Sequence, residues 1–209
     1  KNEWEGTIKL IFQPGEEKHP GGASLMIKEG ALENPRPDAI LGLHVQPGME
    51  AGFLGFRSGM AMASADEIYI TVHGEGGHAA SPHLTTDTIL VASHIVVALQ
   101  QIISRNRDPF SPSVLSICAF NGGFTTNVIP AEVKLQGTFR AMDETWRFRA
   151  HELIRREATA IATSMGATVD IEIPVGYPCL LNNEEVTASA RKLAEAYIGT
   201  ENVETIAMR

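Results

Sequence analysis

Hydrophobic and polar positions along the chain follow three different patterns, and the first covers roughly residues 1–59. Apolar, β-branched runs at residues 7–12, 39–43 and 52–56 predict strands, the first of them buried. Between the first two runs, residues 23–28 predict a short helix, with Gly30 at its C′ position. Alternation of strand and helix is typical of a parallel α/β fold, so this stretch is expected to be part of one.

The middle of the chain predicts six elements in the order β-α-β-β-α-β. The predicted strands cover residues 68–72, 114–120, 132–140 and 168–173, and the predicted helices cover residues 87–104 and 144–165. Thr85 or Thr86 is expected to cap the first of these helices. This order is typical of the ferredoxin-like α+β fold, which has one sheet with both helices on one face. A last helix is predicted at residues 184–198, ended by Gly199.

Composition narrows the class of protein. The 209 residues are 44% hydrophobic, enough for one large or two small domain cores. The net charge of −8, without a basic stripe, argues against nucleic acid and anionic membrane surfaces as partners. The longest apolar stretch, residues 89–103, is interrupted by four polar residues, so no membrane span is expected. Two distant cysteines offer no disulfide framework, which favours a reducing, cytoplasmic location.

Two carboxylates and an imidazole follow predicted strands. Glu16 and Glu17 come after the first strand, and His44 comes directly after the second. Adjacent carboxylates raise each other's pKa unless a cation or a proton is present. Sites in open α/β sheets lie outside the carboxyl ends of the strands, which favours part of a metal centre with a general base. The alternative is that Glu16 and Glu17 cap the following helix and His44 is a packed histidine.

The glycine-rich residues 74–79 match the pattern G-x-G-x-x-A of dinucleotide-binding loops. In such loops the last position opens a helix, but here Ser81 and Pro82 intervene, so a nucleotide site is not expected. What remains is a mobile loop that presents His78 and His83. Two solvent-facing histidines without a function are the alternative.

Other reactive or charged residues are expected to be structural. Cys118 lies in a strand-like run and is interpreted as a small core residue. His94 and His151 fall within predicted helices and are expected at the surface or its boundary. A solvated helix face is predicted for the arginines Arg147, Arg149, Arg155 and Arg156.

Five short motifs occur in a characteristic order. They are Phe12-Gln13-Pro14-Gly15-Glu16-Glu17, Gly42-Leu43-His44-Val45, Gly76-Gly77-His78-Ala79-Ala80-x-Pro82-His83, Asn127-Val128-Ile129-Pro130 and Gly137-Thr138-x-Arg140. This set resembles the dinuclear metallo-amidohydrolases related to aminoacylase, hippurate hydrolase, carboxypeptidase G and the plant indole-acetyl-amino-acid hydrolases. The resemblance implies a zinc-exopeptidase-like α/β catalytic domain with an inserted ferredoxin-like α+β lid domain. It implies catalytic-domain parts at residues 1–63 and 175–209, and a lid and dimerisation domain at residues 64–174.

The resemblance also implies roles for the first-stretch residues. Glu16 matches the general base, while Glu17 and His44 match metal ligands. The complete enzyme is then expected to hold two divalent ions, of zinc, manganese, cobalt or nickel. Glu16 would remove a proton from the attacking water, whose target is an amide carbonyl.

The remaining motif residues match substrate-contacting positions of the lid. His78 matches a histidine that polarises the scissile carbonyl, often across a dimer. Asn127 and Arg140 match residues that hold the backbone or carboxylate of the substrate. A homodimer formed through the lid domains is therefore expected.

The chain departs from the family pattern in one respect. The His-x-Asp and Cys-Gly-His-Asp ligand motifs and a final histidine ligand are not found in its 209 residues. We therefore expect an interior fragment of a hydrolase that cleaves amide bonds in N-acyl amino acids or small peptides. The alternative is a catalytically silent dimerisation or scaffold module that binds no metal by itself.

Overall fold

The computed structural model describes residues 5–16 and 21–208. Its helices are α1 (Gly22–Lys28), α2 (Thr88–Gln101), α3 (Glu144–Ser164) and α4 (Glu184–Ile198). Its strands are β1 (Leu54–Phe56), β2 (Gly59–Met62), β3 (Asp66–His73), β4 (Gly77–His78), β5 (Ser113–Asn121), β6 (Val128–Ile129), β7 (Glu132–Ala141), β8 (Thr168–Glu172), β9 (Leu180–Asn182) and β10 (Val203–Thr205). Two compact units result, one of residues 1–56 and 185–205 and one of residues 57–184 and 206–209.

The second unit is built on a four-stranded sheet in the order β5-β7-β3-β8. Every neighbouring pair in this sheet is antiparallel. With α2 between β3 and β5, and α3 between β7 and β8, the predicted β-α-β-β-α-β order is confirmed. Side chains alternate along β3, where Ile68, Ile70 and Val72 are buried and the residues between them are more exposed. This period of two directs one apolar face of the sheet towards the core.

The core of this unit lies between the sheet and its two long helices. It is formed by residues of all four strands and of α2 and α3, and includes Val91, Ile95, Leu99, Leu135, Phe139 and Ile154. The N-cap of α2 is Asp87, whose carboxylate accepts from the Leu90 N–H at 3.0 Å. The predicted Thr85 or Thr86 cap is therefore wrong, because the Asp87 carboxylate already binds a free N–H of the first turn.

Helix α2 and its continuation, together Thr88–Asn106, are long and apolar enough to cross a membrane by length and composition. Its buried side chains, among them Val91, Ile95 and Leu99, belong to the core that packs on the sheet. A core helix satisfies the same two criteria, and packing on the sheet accounts for the apolar residues on the buried face of this segment.

The first unit is only partly as predicted. Helix α1 ends at a glycine as expected, since Gly30 has φ 85° and its N–H donates to the Ile27 carbonyl at 3.0 Å. The strands predicted at residues 7–12 and 39–43 are wrong, because neither run forms a strand and both are largely exposed. A strand needs a neighbour for its backbone groups, and no strand in residues 5–16 and 21–208 pairs with either run. The third predicted strand is found as β1, parallel to β10.

Cys118 lies on the edge strand β5 and is exposed. Ile117 is opposite Gly137 and Ala119 is opposite Gln136, so Cys118 occupies a bulge between two paired positions. The expectation of a buried Cys118 is wrong because a bulge interrupts the inward and outward alternation of a strand.

Candidate functional site

The predicted metal-site residues lie in the first unit. Glu16 is exposed in a turn, and Glu17 lies outside the described residues. His44 is also exposed, and its Nδ1 donates to the Val45 carbonyl at 2.6 Å. This bond assigns the ring proton to Nδ1, so Nε2 keeps the lone pair that a metal ion would bind.

Residues 5–16 and 21–208 contain no group of three or more His, Cys, Asp or Glu side chains that could hold a metal ion. The donors predicted from the sequence, one carboxylate and one imidazole, are of the types that bind zinc, manganese, cobalt or nickel. They fit part of a metal centre, and the roles of Glu17 and His44 stay predictions.

The glycine-rich stretch forms a short ribbon rather than an open loop. In this ribbon β4 pairs with β6, with Gly77 opposite Ile129 and His78 opposite Val128. Gly76 lets the two chains approach closely, because a Cβ at this position would lie 2.8 Å from the Ile129 carbonyl oxygen. The Ala79 N–H continues the pairing by donating to the Asn127 carbonyl at 3.0 Å. The ribbon therefore brings two predicted site residues, His78 and Asn127, onto adjacent segments.

Both of these side chains are exposed, and each is oriented by a neighbour. The Ala80 N–H donates to His78 Nδ1 at 3.1 Å, which leaves the ring proton of the neutral imidazole on Nε2. The Thr125 hydroxyl donates to Asn127 Oδ1 at 2.7 Å, which leaves the Asn127 Nδ2 group as a donor. The ribbon thus carries two neutral hydrogen-bond donors that could bind a carbonyl oxygen.

Arg140 lies near the end of β7 and is half-buried. Its Nη1 donates to the Asp66 carbonyl at 3.4 Å, to the Phe139 carbonyl at 3.2 Å and to the Thr138 hydroxyl. No hydrogen bond from its Nε or Nη2 is found among the described residues. This edge of the guanidinium has the geometry to bind a carboxylate through two parallel bonds.

The ribbon and Arg140 lie at opposite ends of β7. The ribbon leads into Glu132, the first residue of β7, and Arg140 is eight residues further along. At about 3.3 Å per residue, these positions are about 25 Å apart. A substrate two residues long spans only about 7 Å. Arg140 and the His78–Asn127 pair of one chain therefore cannot contact the same small substrate.

A buried ionic cluster in the second unit was missed by the sequence analysis. The Asp66 carboxylate accepts from Arg147 Nε at 2.7 Å, from His151 Nε2 at 2.9 Å and from the Gly176 N–H at 2.9 Å. Asp66 and Arg147 are almost completely buried, and His151 is buried as well. The predictions of a solvated Arg147 and a surface His151 are wrong. The sequence did contain a signal for this burial. Arg147 and His151 lie on the same face of a helix as the apolar residues Ala150 and Ile154.

Glu144 extends this cluster to a second carboxylate. It accepts from Arg147 Nη1 at 2.9 Å and from the Cys179 N–H at 2.8 Å. Burial by itself would raise the pKa of Glu144, but these bonds outweigh it and lower the pKa. Burial and the nearby Glu144 carboxylate raise the pKa of the Cys179 thiol. The cluster connects α3 with the start of β3 and with residues 176–179. Its role is therefore structural.

A second cluster is exposed on the sheet face that carries no helix. His73 Nε2 donates to Asp170 at 2.9 Å, and His73 Nδ1 lies 3.7 Å from Glu132. The two carboxylates approach different ring nitrogens, so one ion could not bind all three side chains. This cluster is a set of exposed side-chain contacts rather than a metal site.

Comparison with known proteins supports the resemblance found in the motifs. Residues 1–209 match the profile of Peptidase family M20/M25/M40. The chain is 37% identical over 185 residues to an N-acyl-L-amino acid amidohydrolase of Geobacillus stearothermophilus, covering 88% of this chain and 50% of that protein. It is 38% identical over 190 residues to thermostable carboxypeptidase 2 of Saccharolobus solfataricus, covering 90% of this chain and 48% of that protein. The chain thus spans about half the length of these relatives.

Solved structures give the same result. A crystal structure from methicillin-resistant Staphylococcus aureus aligns with a TM-score of 0.83 and 33% identity, over 94% of this chain and 51% of that one. A Bacillus subtilis protein, described as a dinuclear metal binding peptidase from the M20 family, aligns with a TM-score of 0.69 and 28% identity, over 95% and 48% of the two chains. The match over the whole chain, together with the ordered motifs, decides the assignment: the chain belongs to Peptidase family M20/M25/M40.

Proposed function

We propose that the complete protein is a metal-dependent hydrolase of amide bonds in N-acyl amino acids or small peptides. The observation that carries the proposal is the pair of oriented donors on the ribbon, His78 Nε2 and Asn127 Nδ2. Amide hydrolysis develops negative charge on the carbonyl oxygen, and fixed donors stabilise that charge. The names of the relatives, an N-acyl-L-amino acid amidohydrolase and a carboxypeptidase, support the same reaction.

The first unit would supply the base and the metal site. Glu16 removes a proton from the attacking water and returns it to the leaving amine. In the complete protein, Glu17 and His44 would be ligands of two divalent ions of zinc, manganese, cobalt or nickel. When bound, such ions supply Lewis acidity that polarises a carbonyl and favours deprotonation of water. The description of the Bacillus subtilis neighbour as dinuclear supports two ions rather than one.

Arg140 would bind the α-carboxylate of the substrate through its Nε and Nη2 edge. Arg140 and the ribbon of one chain lie about 25 Å apart along β7, which supports a site to which two subunits contribute. We propose that Arg140 acts in the site of its own subunit, and that His78 and Asn127 act in the site of the partner subunit.

This arrangement requires a homodimer. We propose that residues 64–174 form a lid and dimerisation domain inserted into a catalytic domain at residues 1–63 and 175–209. The strand β5 is an edge of the sheet and carries the exposed side chains Val114 and Phe120. Leu90 and Val97 on α2 are exposed as well. An unpaired edge beside apolar side chains is suited to pairing with a second copy of this chain.

The test is hydrolysis by the full-length protein. We expect release of free amino acid from N-acetyl and N-benzoyl amino acids after loading with zinc, manganese, cobalt or nickel. We also expect chelation to remove the activity and the same ion to restore it. A full-length protein that dimerises but releases no amino acid with any of these ions would support the scaffold alternative instead.

A further inference from the structure

Phe124 has an unusual position for an aromatic side chain. It lies between β5 and β6, on residues 122–127, with a relative exposure of 106%. A single exposed apolar side chain is common on protein surfaces and has no meaning by itself. The position of Phe124 is of interest because the segment that carries it ends at Asn127, a predicted substrate-binding residue.

This segment is held in place at both ends. A Cβ at Gly122 would lie 2.6 Å from the Val133 side chain, so the chain passes close against the start of β7. At the other end, Thr125 donates to Asn127, which is itself bonded to the ribbon through its carbonyl. Phe124 is three residues from Asn127, so their Cα atoms are within about 10 Å. Phe124 is therefore an exposed aromatic residue on the same short segment as Asn127, one of the two donors.

We infer that Phe124 is a specificity-determining residue that contacts the acyl group of the substrate. The inference rests on the proposed function. There, His78 and Asn127 bind the scissile carbonyl oxygen, and Arg140 binds the carboxylate at the amino-acid end. The acyl group then lies on the side of the carbonyl away from Arg140. An aromatic side chain on that side would favour a large apolar acyl group over a small one. Because Phe124 shares its segment with Asn127, it acts on the same subunit's site as Asn127 does.

The test compares two substrates of one amino acid, its N-benzoyl and its N-acetyl derivative, with the full-length enzyme. We expect Phe124→Ala to lower kcat/KM about tenfold for the benzoyl substrate, the low end of what contacts in a hydrophobic pocket contribute. For the acetyl substrate the change should stay within about twofold. Phe110→Ala is the matched control, since Phe110 is 94% exposed and precedes the opposite end of β5. It should leave the ratio of the two rates unchanged.

Each other outcome overturns the inference. Equal losses for both substrates, or no loss for either, would show that Phe124 does not read the acyl group. Conversion of Phe124→Ala to a monomer by light scattering would make it an interface residue instead. If the wild-type enzyme hydrolyses neither substrate, the proposed function itself fails and the inference falls with it. If the wild type is active and Phe124→Ala leaves the ratio of kcat/KM for the benzoyl and acetyl substrates unchanged, only the inference about Phe124 fails.

Discussion

At the scale of single residues, Asp66 lies at the centre of a cluster of buried charged side chains. Its carboxylate binds Arg147, His151 and the Gly176 N–H in a site with no exposure to solvent. We expect Asp66→Asn to lower the free energy of unfolding by about 3–5 kcal/mol, because Arg147 would keep a buried charge without its partner. Urea denaturation at neutral pH measures this. Asp170→Asn, which removes an exposed carboxylate, is the control and should leave the midpoint nearly unchanged.

The same cluster predicts how stability depends on pH. Burial alone would raise the pKa of Asp66, but its bonds to Arg147, His151 and Gly176 hold the pKa well below the ordinary 3.8. The unfolded chain then binds the proton more tightly, so this contribution is complete above about pH 4 and is lost as the pH falls below it. Between pH 5 and pH 3 the wild type should lose more stability than Asp66→Asn. Parallel losses in the two proteins would contradict the role of Asp66.

Glu16 and its neighbour Glu17 are expected to have different functions in the complete enzyme. We expect Glu16→Gln to abolish turnover with nearly unchanged metal content, because it removes the base and leaves the ligands. Glu17→Gln should instead lower the metal content, measured by elemental analysis of the purified protein. If Glu16→Gln lost the metal and Glu17→Gln kept it, the two roles would be exchanged.

Arg140 is expected to recognise the charged end of the substrate. We expect Arg140→Ala to weaken binding of substrates with a free α-carboxylate by about 1.5–3 kcal/mol, or one to two decades in affinity. An amide-capped substrate with the same acyl group is the control and should be affected much less. Equal losses of affinity for the two substrates would show that Arg140 does not recognise the carboxylate.

At the scale of elements, the ribbon of β4 and β6 depends on one glycine. A Cβ at Gly76 would lie 2.8 Å from both the Ala131 nitrogen and the Ile129 carbonyl oxygen, so the two backbones must separate in Gly76→Ala. We expect the full-length variant to lose at least about tenfold in kcat/KM, since displaced donors stabilise the transition state poorly. Glu75→Ala, which removes an exposed side chain from the same stretch, is the control. Unchanged turnover in Gly76→Ala would show that the position of the ribbon does not matter.

At the scale of the whole molecule, the length of β7 separates residues that we propose act on one substrate. A homodimer is expected by light scattering, and heterodimers of inactive variants test which residues share a site. Mixing Glu16→Gln with His78→Ala should restore one working site, as should mixing Arg140→Ala with His78→Ala. Mixing Asn127→Ala with His78→Ala should restore nothing, because both residues serve the same partner site.

The controls for this experiment are the unmixed variants and a direct measure of subunit exchange. If exchange is complete and the Glu16→Gln mixture stays inactive, His78 acts within its own subunit or outside catalysis. Recovery in the Asn127→Ala mixture would place Asn127 and His78 in different sites. A monomer would contradict the shared site altogether.

The sequence by itself determined those elements in which apolar residues recur at the period of a helix or a strand. Helices α2 and α3 and the four strands of the sheet were predictable because each has an apolar face with its own period. Ordered motifs were also sufficient to predict the family, because five motifs in one order are specific although each of them alone is weak. The predicted strands at residues 7–12 and 39–43 failed, because a strand also depends on a neighbour that its own residues do not supply.

Only the tertiary structure decided which distant residues meet. Asp66 and Arg147 are 81 positions apart, and no local pattern pairs a buried carboxylate with a buried guanidinium. The tautomers that leave a proton on His78 Nε2 and a lone pair on His44 Nε2 follow from individual hydrogen bonds. The separation of Arg140 from His78 follows from the extended backbone of β7. Motifs name the residues of a site, but distances between them depend on how the chain folds in space.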